Sequence, residues 1–428
     1  MLLAALAPLL GAAAQDEAAS ASGETPAAAT PEKPSAPEAA ATPAHGFGLD
    51  SLPFIPIPEI DTAPFSGVTL GLIPVVLSTN PEGEIDKILA PDIIHSQYFG
   101  WGARFRIFRN PSEDEKWSLV AGAKQYVERE FDARYASGLL REDAWSWSAH
   151  AVYDRSGTGR FFGLGNDSQY SNQTTYINSQ MRLEGTAARN FTRALQLAYT
   201  VRAESVEIEQ SALDSLPATT AVYPSLNGVG DVSDLVHSVM LIYDTRDSVT
   251  VPRTGQRLVA FAGVSLRGLG STDGYSFFGA DATYIQPAGA DLTIVGHGAL
   301  RLMPNYTDAP FWALSSIGGD RSVTGDAQPL RAFGAGRFID RNSFAASLEA
   351  RTWVASFHLF GTDLKLELAP FVDTGKVYSG MSGSPVSQLH VGAGMGFRLV
   401  ASPFVVGYLD VGFGSEGPAV FSGIDYPF

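Results

Sequence analysis

The chain has 428 residues, a formal net charge of −16 and no cysteine, which excludes a disulfide framework, thiolate metal ligands and a basic surface for nucleic acid. Apolar residues make up 45% and charged residues 17%, and the 44 glycines and 11% aromatic residues exceed what is typical of a soluble domain. This balance favours a protein whose outer surface faces lipid.

The N-terminal segment has the pattern of a secretory signal peptide. Residues 1–14 form an apolar run that ends in three alanines before Gln15 and Asp16, so we expect cleavage at or near Gln15. Residues 15–64 are rich in Ala, Pro, Glu, Ser and Thr, and we predict a disordered periplasmic tether over this range. Its last part, residues 52–64, should be extended, either across the mouth of the following domain or inside it.

Residues 65–428 share one pattern, in which runs of about ten residues alternate between polar and apolar side chains. Turn-forming residues separate the runs, and the connections are short at residues 287–290 but long at residues 207–235 and 303–341. No stretch beyond the signal peptide approaches the roughly 20 apolar residues of a spanning helix. In residues 291–303, for example, Leu292, Ile294, Leu300 and Leu302 share one parity, and Asp291, Thr293, His297 and Arg301 share the other.

The number of these runs indicates a closed barrel. They begin near residues 66, 98, 117, 130, 145, 174, 194, 235, 255, 275, 291, 341, 363, 389, 404 and 419, which gives sixteen, an even number as a closed antiparallel barrel needs. The alternative is that the third and fourth runs form one long strand. We therefore predict an all-β fold: a transmembrane antiparallel β-barrel of sixteen strands over residues 65–428, with residues 66–78 as its first strand. The polar parity would face the lumen, where His297 would form hydrogen bonds rather than bind a metal.

The last run, residues 419–428, places Ile424, Tyr426 and Phe428 on one parity. An alternating strand that closes on an aromatic residue resembles the recognition signal of bacterial outer-membrane barrels, and we predict that these three residues form such a C-terminal signal. An ordinary edge strand with an apolar end is the alternative.

Residues 317–378 carry an ordered series of motifs. They are Ile317-Gly318-Gly319, Leu330-Arg331-Ala332-Phe333, Ser347-Leu348-Glu349-Ala350-Arg351 and Phe371-Val372-Asp373-Thr374-Gly375, preceded by Tyr243-Asp244-Thr245-Arg246-Asp247. This series resembles the barrel of the outer-membrane insertase superfamily, the bacterial surface antigen family that includes BamA, TamA and the two-partner secretion transporters. The resemblance covers most of residues 65–428 and is sharpest in the final third.

The resemblance implies a long loop that folds into the lumen and is held there by its motif arginine. Carried over by motif, Arg331 would meet Asp373 and Glu349, with Phe371 packed nearby and Phe333 following in the motif. Glu349, Phe371 and Asp373 fall on the polar parity of their strands, which predicts that they point inward. The alternative is that Arg331 is a solvated loop charge.

Two departures from the family limit what it implies. Ala332 stands where the motif has glycine, and residues 324–329 are inserted before the arginine, so the loop tip could be displaced. The family's periplasmic POTRA modules, which receive client chains, are not found in the residues that precede the barrel, so an insertase role would be inherited only in part.

No catalytic motif or metal-ligand spacing occurs in the chain, so we expect no enzyme, cofactor or metal; a hydrolase site assembled across strands is the alternative. In the bacterial outer membrane, we expect lipid as a partner, with unfolded barrel proteins or periplasmic factors as further candidates and no nucleic acid. Two functions are compatible with this. One is membrane biogenesis through a weak seam between the first strand, which contains Pro74, and the last. The other is a passive pore or structural barrel.

Overall fold

The computed structural model describes residues 54–61, 67–80, 85–324, 326–359, 362–380, 387–401, 404–424 and 426–428. The predicted signal peptide and the tether up to residue 53 lie outside these ranges. Within them, nineteen strands form one sheet, and two short strands form a separate sheet.

The strands follow one another along the chain with few interruptions. They are β1 (Ile55–Asp61), β2 (Thr69–Thr79), β3 (Ile85–Leu89), β4 (Asp92–Ser96), β5 (Gly100–Ser112), β6 (Glu115–Lys124), β7 (Arg129–Ser137), β8 (Trp145–Phe161), β9 (Thr174–Asn190), β10 (Leu195–Glu209), β11 (Gly230–Asp244), β12 (Gly255–Ser265), β13 (Tyr275–Pro287), β14 (Leu292–Asn305), β15 (Ser315–Ile317), β16 (Phe338–Asp340), β17 (Asn342–Leu359), β18 (Thr362–Tyr378), β19 (His390–Ala401), β20 (Phe404–Gly414) and β21 (Gly417–Gly423). Helix α1 (Thr219–Val222) and two single 3₁₀ turns lie in loops. None of the described helices is long and apolar enough to cross a membrane.

Each strand of the large sheet pairs antiparallel with its neighbours in chain order, from β1 to β21. Strands β3 and β4 both lie between β2 and β5 and act as one interrupted strand. The nineteen strands therefore occupy eighteen positions, and both ends of this meander finish at the same end of the barrel. We call that end the short-turn end, because the connections at residues 113–114, 138–144, 191–194, 245–254 and 288–291 lie there.

The two faces of the sheet have the polarity of a membrane barrel. Strand β14 shows it most regularly, since Thr293, His297 and Arg301 are buried toward the lumen. On the opposite face, apolar side chains such as Leu348 (58% exposed) and Val372 (48% exposed) point away from the lumen. A soluble sheet buries its apolar face, so this reversed arrangement confirms the predicted all-β transmembrane barrel.

The predicted strand number needs correction. All sixteen predicted runs fall on strands, but the count omits β1 and the interrupted strand β3 and β4. The predicted first strand, residues 66–78, is β2, which lies inside the wall between β1 and its next neighbour. Prolines hide both omitted strands, because Pro56 and Pro58 fall in β1 and Pro91 separates β3 from β4.

The predicted disordered tether also ends too late in the chain. Residues 55–61 form β1, which pairs with β2 along its whole length. Its Glu59 is buried and faces the lumen, where it accepts a hydrogen bond from the guanidinium of Arg104 and lies 3.8 Å from that of Arg106. Asp92 pairs with both arginines: its Oδ2 lies 3.0 Å from Nε of Arg104 and 2.6 Å from Nη1 of Arg106. This buried ionic group attaches β1 to the wall.

Prolines also align across the first strands. Pro56 lies directly opposite Pro74, and the register of β2 with β3 and β4 places Pro91 opposite Pro74 on the other side. Because proline has no amide hydrogen, this level of the wall lacks three backbone donors. We call Pro56, Pro74 and Pro91 the proline row.

We expect the folded barrel to migrate differently on SDS gels before and after boiling, and the temperature of this change to fall in Glu59→Gln. Removing a buried carboxylate from its arginine partners should cost about 1 to 3 kcal/mol of unfolding free energy. Gel mobility measured over a series of temperatures reports the change. Glu113→Gln, at an exposed turn, is the matched control, and equal transitions for the two variants would show that Glu59 does not anchor β1.

Candidate functional site

The connection between β14 and β17, residues 306–341, folds back toward the lumen, and we call it the lumen loop. Its β15 and β16 pair as a small antiparallel sheet of two strands. Gly318, directly after β15, has a φ of 125°. A side chain at Gly318 would place its Cβ 2.2 Å from the carbonyl oxygen of Gly334. The Gly-Gly motif is therefore required by both backbone conformation and close approach.

Arg331, near the middle of this loop, is completely buried against the barrel wall. Its backbone amide and its Nε both donate to Oδ2 of Asp373 at 2.9 Å, and its Nη2 donates to Oδ1 at 2.9 Å. The Phe371 ring lies 3.6 Å from its Cζ. The wall thus binds both the backbone and the fork of the guanidinium, which is the geometry that favours arginine over lysine.

Two more carboxylates accept hydrogen bonds from Arg331. Its Nη1 donates to Glu349 Oε2 at 2.6 Å and to Asp410 Oδ2 at 3.2 Å, and all four residues are fully buried. We call Arg331, Glu349, Asp373 and Asp410 the arginine cluster. Burial alone lowers the pKa of Arg331, but the hydrogen bond to Asp373 and the charges of Glu349, Asp373 and Asp410 outweigh it and raise the pKa above its ordinary value.

Strand register explains why these carboxylates meet. Ser347 lies opposite Asp373 and Glu349 opposite Phe371 in the pairing of β17 with β18, so all four side chains share the lumen face. The structure therefore brings together Arg331, Glu349, Phe371 and Asp373, the four residues that the motif and the parity pointed to.

Several members of the site were missed from the sequence. Asp410 on β20 is one, and the alternation of Tyr408, Asp410 and Gly412 was the signal that could have located it on the lumen face. Ser347, whose hydroxyl donates to Asp373 at 2.6 Å, and Arg398, which donates to Glu349 at 3.1 Å, are others.

The replacement of the motif glycine by Ala332 is accommodated by the wall. A Cβ at Gly392 would lie 2.5 Å from the Cβ of Ala332, and one at Gly414 would lie 2.9 Å from it. A Cβ at Gly412 would lie 1.7 Å from the carbonyl oxygen of Arg331. Glycines of β19 and β20 therefore provide the space that the loop backbone and the extra methyl group occupy.

Phe333 anchors the loop beyond the arginine. It is buried against Phe338 and the ring of His390, with ring centroids 5.4 Å and 5.8 Å apart. Arg337 then donates to Glu416 at 2.7 Å and stacks over Phe162, whose ring centroid is 4.1 Å away. The loop exit is thereby attached to two other connections of the barrel.

From the insertion at residues 324–329, Asp326 contacts a different part of the wall from the carboxylates that bind Arg331. Asp326 accepts a hydrogen bond from Arg202 of β10 at 2.8 Å. Burial alone would raise the pKa of Asp326, but Arg202 and Arg301 outweigh it and hold the pKa below its ordinary value. The loop is therefore held by the arginine cluster, by Phe333 and Arg337 at its exit, and by Asp326.

The predicted C-terminal signal does not lie on one continuous strand, because β21 ends at Gly423. Ile424 packs in an apolar cluster with residues of β1 and β2. Tyr426 donates to Glu367 at 3.1 Å, and the Phe428 ring stacks on His297 with centroids 4.8 Å apart. Tyr426 and Phe428 therefore lie in the lumen beside polar groups of β14 and β18 and not on the outer face of a final strand.

Part of the lumen stays open. A cavity of about 1090 Å³ reaches from the tip of the lumen loop to the turns of the short-turn end. Its wall comes mainly from the lumen faces of β5 to β12. The cavity and the arginine cluster thus occupy different parts of the lumen.

Comparison with known proteins identifies one family. The model of the Omp85 superfamily domain matches residues 114–414. Among solved structures, BamA from Haemophilus ducreyi lacking POTRA domains 1–3 aligns with a TM-score of 0.51 and 13% identity, over 82% of this chain and 75% of that chain. CdiB from Escherichia coli aligns with a TM-score of 0.47 and 12% identity, over 86% and 62%. Curated protein sequences contain no significant match.

We expect Arg331 and Asp373 to be strongly coupled. Removing either partner alone leaves a buried charge and should cost about 3 to 5 kcal/mol, whereas the double variant should cost much less than the sum. Urea unfolding of Arg331→Ala, Asp373→Ala and the double variant in lipid vesicles measures the coupling. The exposed pair Arg193 and Glu142, at 2.7 Å, is the control and should couple by less than about 1 kcal/mol. Additivity at Arg331 and Asp373 would contradict the contact.

The contact between Asp326 and Arg202 should depend on pH. Because the pKa of Asp326 is lowered in the folded protein, its stabilisation is complete above the ordinary carboxyl pKa of about 4 and is lost as the pH falls through the lowered value. Unfolding temperatures measured against pH should therefore differ between wild type and Asp326→Asn at neutral pH and converge in acid. Asp214→Asn, at an exposed loop position, should follow wild type throughout, and a constant difference for Asp326→Asn would refute this assignment.

Proposed function

Because the chain belongs to the Omp85 superfamily and forms an outer-membrane barrel, we propose that it acts in outer-membrane biogenesis, by helping to insert or translocate proteins or lipids. The observation that carries this proposal is the seam between β1 and β21. A barrel that exchanges material with the surrounding membrane needs a place where its wall opens at low cost.

The backbone at this seam is poorly suited to hydrogen bonding. Pro56 and Pro74 lie opposite each other without amide hydrogens, so the hydrogen bonds between β1 and β2 come from the alternate residues. The amide positions of Pro56, Pro58 and Ile60 then face away from β2, toward β21. Two of these three positions are proline, so the free edge of β1 offers few donors to the last strand.

Side chains, rather than a ladder, join the two strands. Strands β1 and β21 approach each other, yet the described residues contain no backbone pairing between them. Instead, Ile57 of β1 and Ile424 after β21 pack against one apolar cluster that includes Ile55 and Val75. Side-chain packing can separate and reform without breaking a run of backbone hydrogen bonds, which supports a seam that opens.

Part of the barrel lumen is filled, which supports a function that takes place at the seam rather than through the lumen. The arginine cluster fixes the lumen loop, and Tyr426 and Phe428 occupy space beside it. The function that we propose is not enzymatic, and the partners it implies are lipid, unfolded barrel proteins or periplasmic factors. The open cavity favours a second candidate, a passive pore, because it reaches the short-turn end and is lined by many polar side chains.

Restoring seam donors tests the proposal. In cells that lack the protein, wild type should restore the outer-membrane content of barrel proteins or lipids, and the double variant Pro56→Val with Pro58→Val should not. Two added hydrogen bonds should raise the unfolding free energy by about 2 kcal/mol and hold the seam shut. Membrane composition is measured by mass spectrometry, and folding by heat-modified gel mobility.

Pro370→Val, inside β18 and away from the seam, is the matched control and should restore membrane composition like wild type. Conductance of the purified protein in planar bilayers separates the second candidate. A large steady conductance, combined with unchanged protein and lipid content after deletion, would support the pore and contradict a role in biogenesis.

A further inference from the structure

Three arginines lie near one another at the short-turn end of the lumen cavity, although the chain as a whole is strongly acidic. Arg141, from the turn between β7 and β8, lines the cavity there together with Arg246 and Arg257 from the β11 and β12 region. Asp244 is the carboxylate among them. Asp247 also lines the cavity, but its carboxylate accepts hydrogen bonds from the backbone amides of Arg253 and Thr254 at 2.9 Å and 3.1 Å.

Asp244 is already occupied by one of its neighbours. Arg246 donates to it through Nε at 3.0 Å, through Nη2 at 2.9 Å and through its backbone amide at 3.2 Å. Arg141 lies farther away, with Nη2 3.5 Å from the same carboxylate. A bidentate pair with Arg246 uses the acceptor sites of Asp244, so little capacity is left for a further cation.

Arg257 is the cation whose nearest carboxylates, Asp281 and Asp244, act on it from beyond ion-pair distance. It lies directly opposite Asp244 in the pairing of β11 with β12, yet the described residues provide it with no ion pair and no hydrogen bond. On the neighbouring strand β13, Asp281 is the next carboxylate on this face, and it is hydrogen-bonded to His297 at 3.1 Å. The guanidinium of Arg257 is therefore available to a ligand in the cavity.

The backbone holds Arg141 at this position at some cost. Its φ is 56°, a conformation that side chains other than glycine rarely adopt. Its Nη1 donates to the carbonyl oxygens of Arg193 and Ala194 at 3.4 Å and 3.2 Å, which fixes the guanidinium beside Asp244. A strained residue that places a charge in a cavity is a common feature of binding sites.

We infer that Arg141, Arg246 and Arg257 form a binding site for a phosphate-bearing anion at the short-turn end of the lumen. Guanidinium forks bind phosphate oxygens in pairs, and a phosphate group offers more acceptor oxygens and more charge than a carboxylate. Hydroxyl groups of Ser248 and Thr250 line the same cavity and can donate to such a ligand. The ligand is either free phosphate or the headgroup of a phospholipid.

This site is separate from the seam and from the arginine cluster, so it goes beyond the proposed function and does not rest on it. Loss of anion binding and loss of biogenesis activity are therefore distinguishable. A pore, an insertase or a structural barrel of this sequence would all carry the site.

Two probes test the inference with the purified full-length protein. Inorganic phosphate is titrated into protein in a neutral detergent, and phosphatidic acid is included in nanodiscs of otherwise zwitterionic lipid, with ³¹P NMR as the readout in both. We expect saturable binding in at least one arm, and the arm that responds identifies free phosphate or lipid as the source. In Arg257→Gln the affinity should fall about 10-fold or more, because a charge-assisted bidentate contact is lost.

The control is Arg193→Gln, which removes a nearby cation that is paired with Glu142 and should bind like wild type. Arg257→Gln should also unfold at the wild-type temperature or higher, since the site crowds like charges and Arg257 has no ion pair to lose. Binding in neither arm, equal affinity of Arg257→Gln and wild type, or acetate binding as tight as phosphate binding would overturn the inference.

Discussion

The buried arginine at the centre of the lumen loop is the interaction on which the interior of this barrel depends. Arg331 joins a loop of 36 residues, positions 306–341, to three neighbouring parts of the wall, because its carboxylate partners lie on β17, β18 and β20. A buried cation is costly unless its donors are satisfied, so a loop position that took Arg331 away from these carboxylates would leave the arginine without its partners. One side chain thereby determines which part of the lumen is filled and which part stays open.

Glycines in the barrel wall leave the space that this loop occupies. Glycines at positions 392, 412 and 414 leave a shallow surface against which residues Arg331 and Ala332 lie. The family motif has glycine where this chain has Ala332, and the small residues of β19 and β20 absorb the added methyl group. The replacement of the motif glycine is thus matched by the small residues that surround Ala332.

Alternation of polarity was sufficient to predict the barrel and the lumen face, since each of the sixteen runs is a strand and Glu349, Phe371 and Asp373 point inward. Alternation did not predict the structure correctly where prolines or side-chain contacts determine the conformation. Prolines conceal β1 and the interruption between β3 and β4, because they break the pattern of β-forming residues while the strands persist. Alternation also continues through Tyr426 and Phe428, although contacts with Glu367 and His297 draw these residues out of the wall. Asp410 was missed because the motif series ends before β20.

The residues of the arginine cluster all lie between positions 331 and 410. The seam, in contrast, lies between the first and the last strand of the sheet, β1 and β21. Closing a short loop costs less conformational entropy than closing a long one. Contacts that are local in sequence also form faster than those between distant segments. The C-terminal strands and their loop can therefore assemble as a nucleus while β1 is still unpaired. On this route the loop is seated from the open side of a curved sheet, and the N-terminal strands enclose it afterwards.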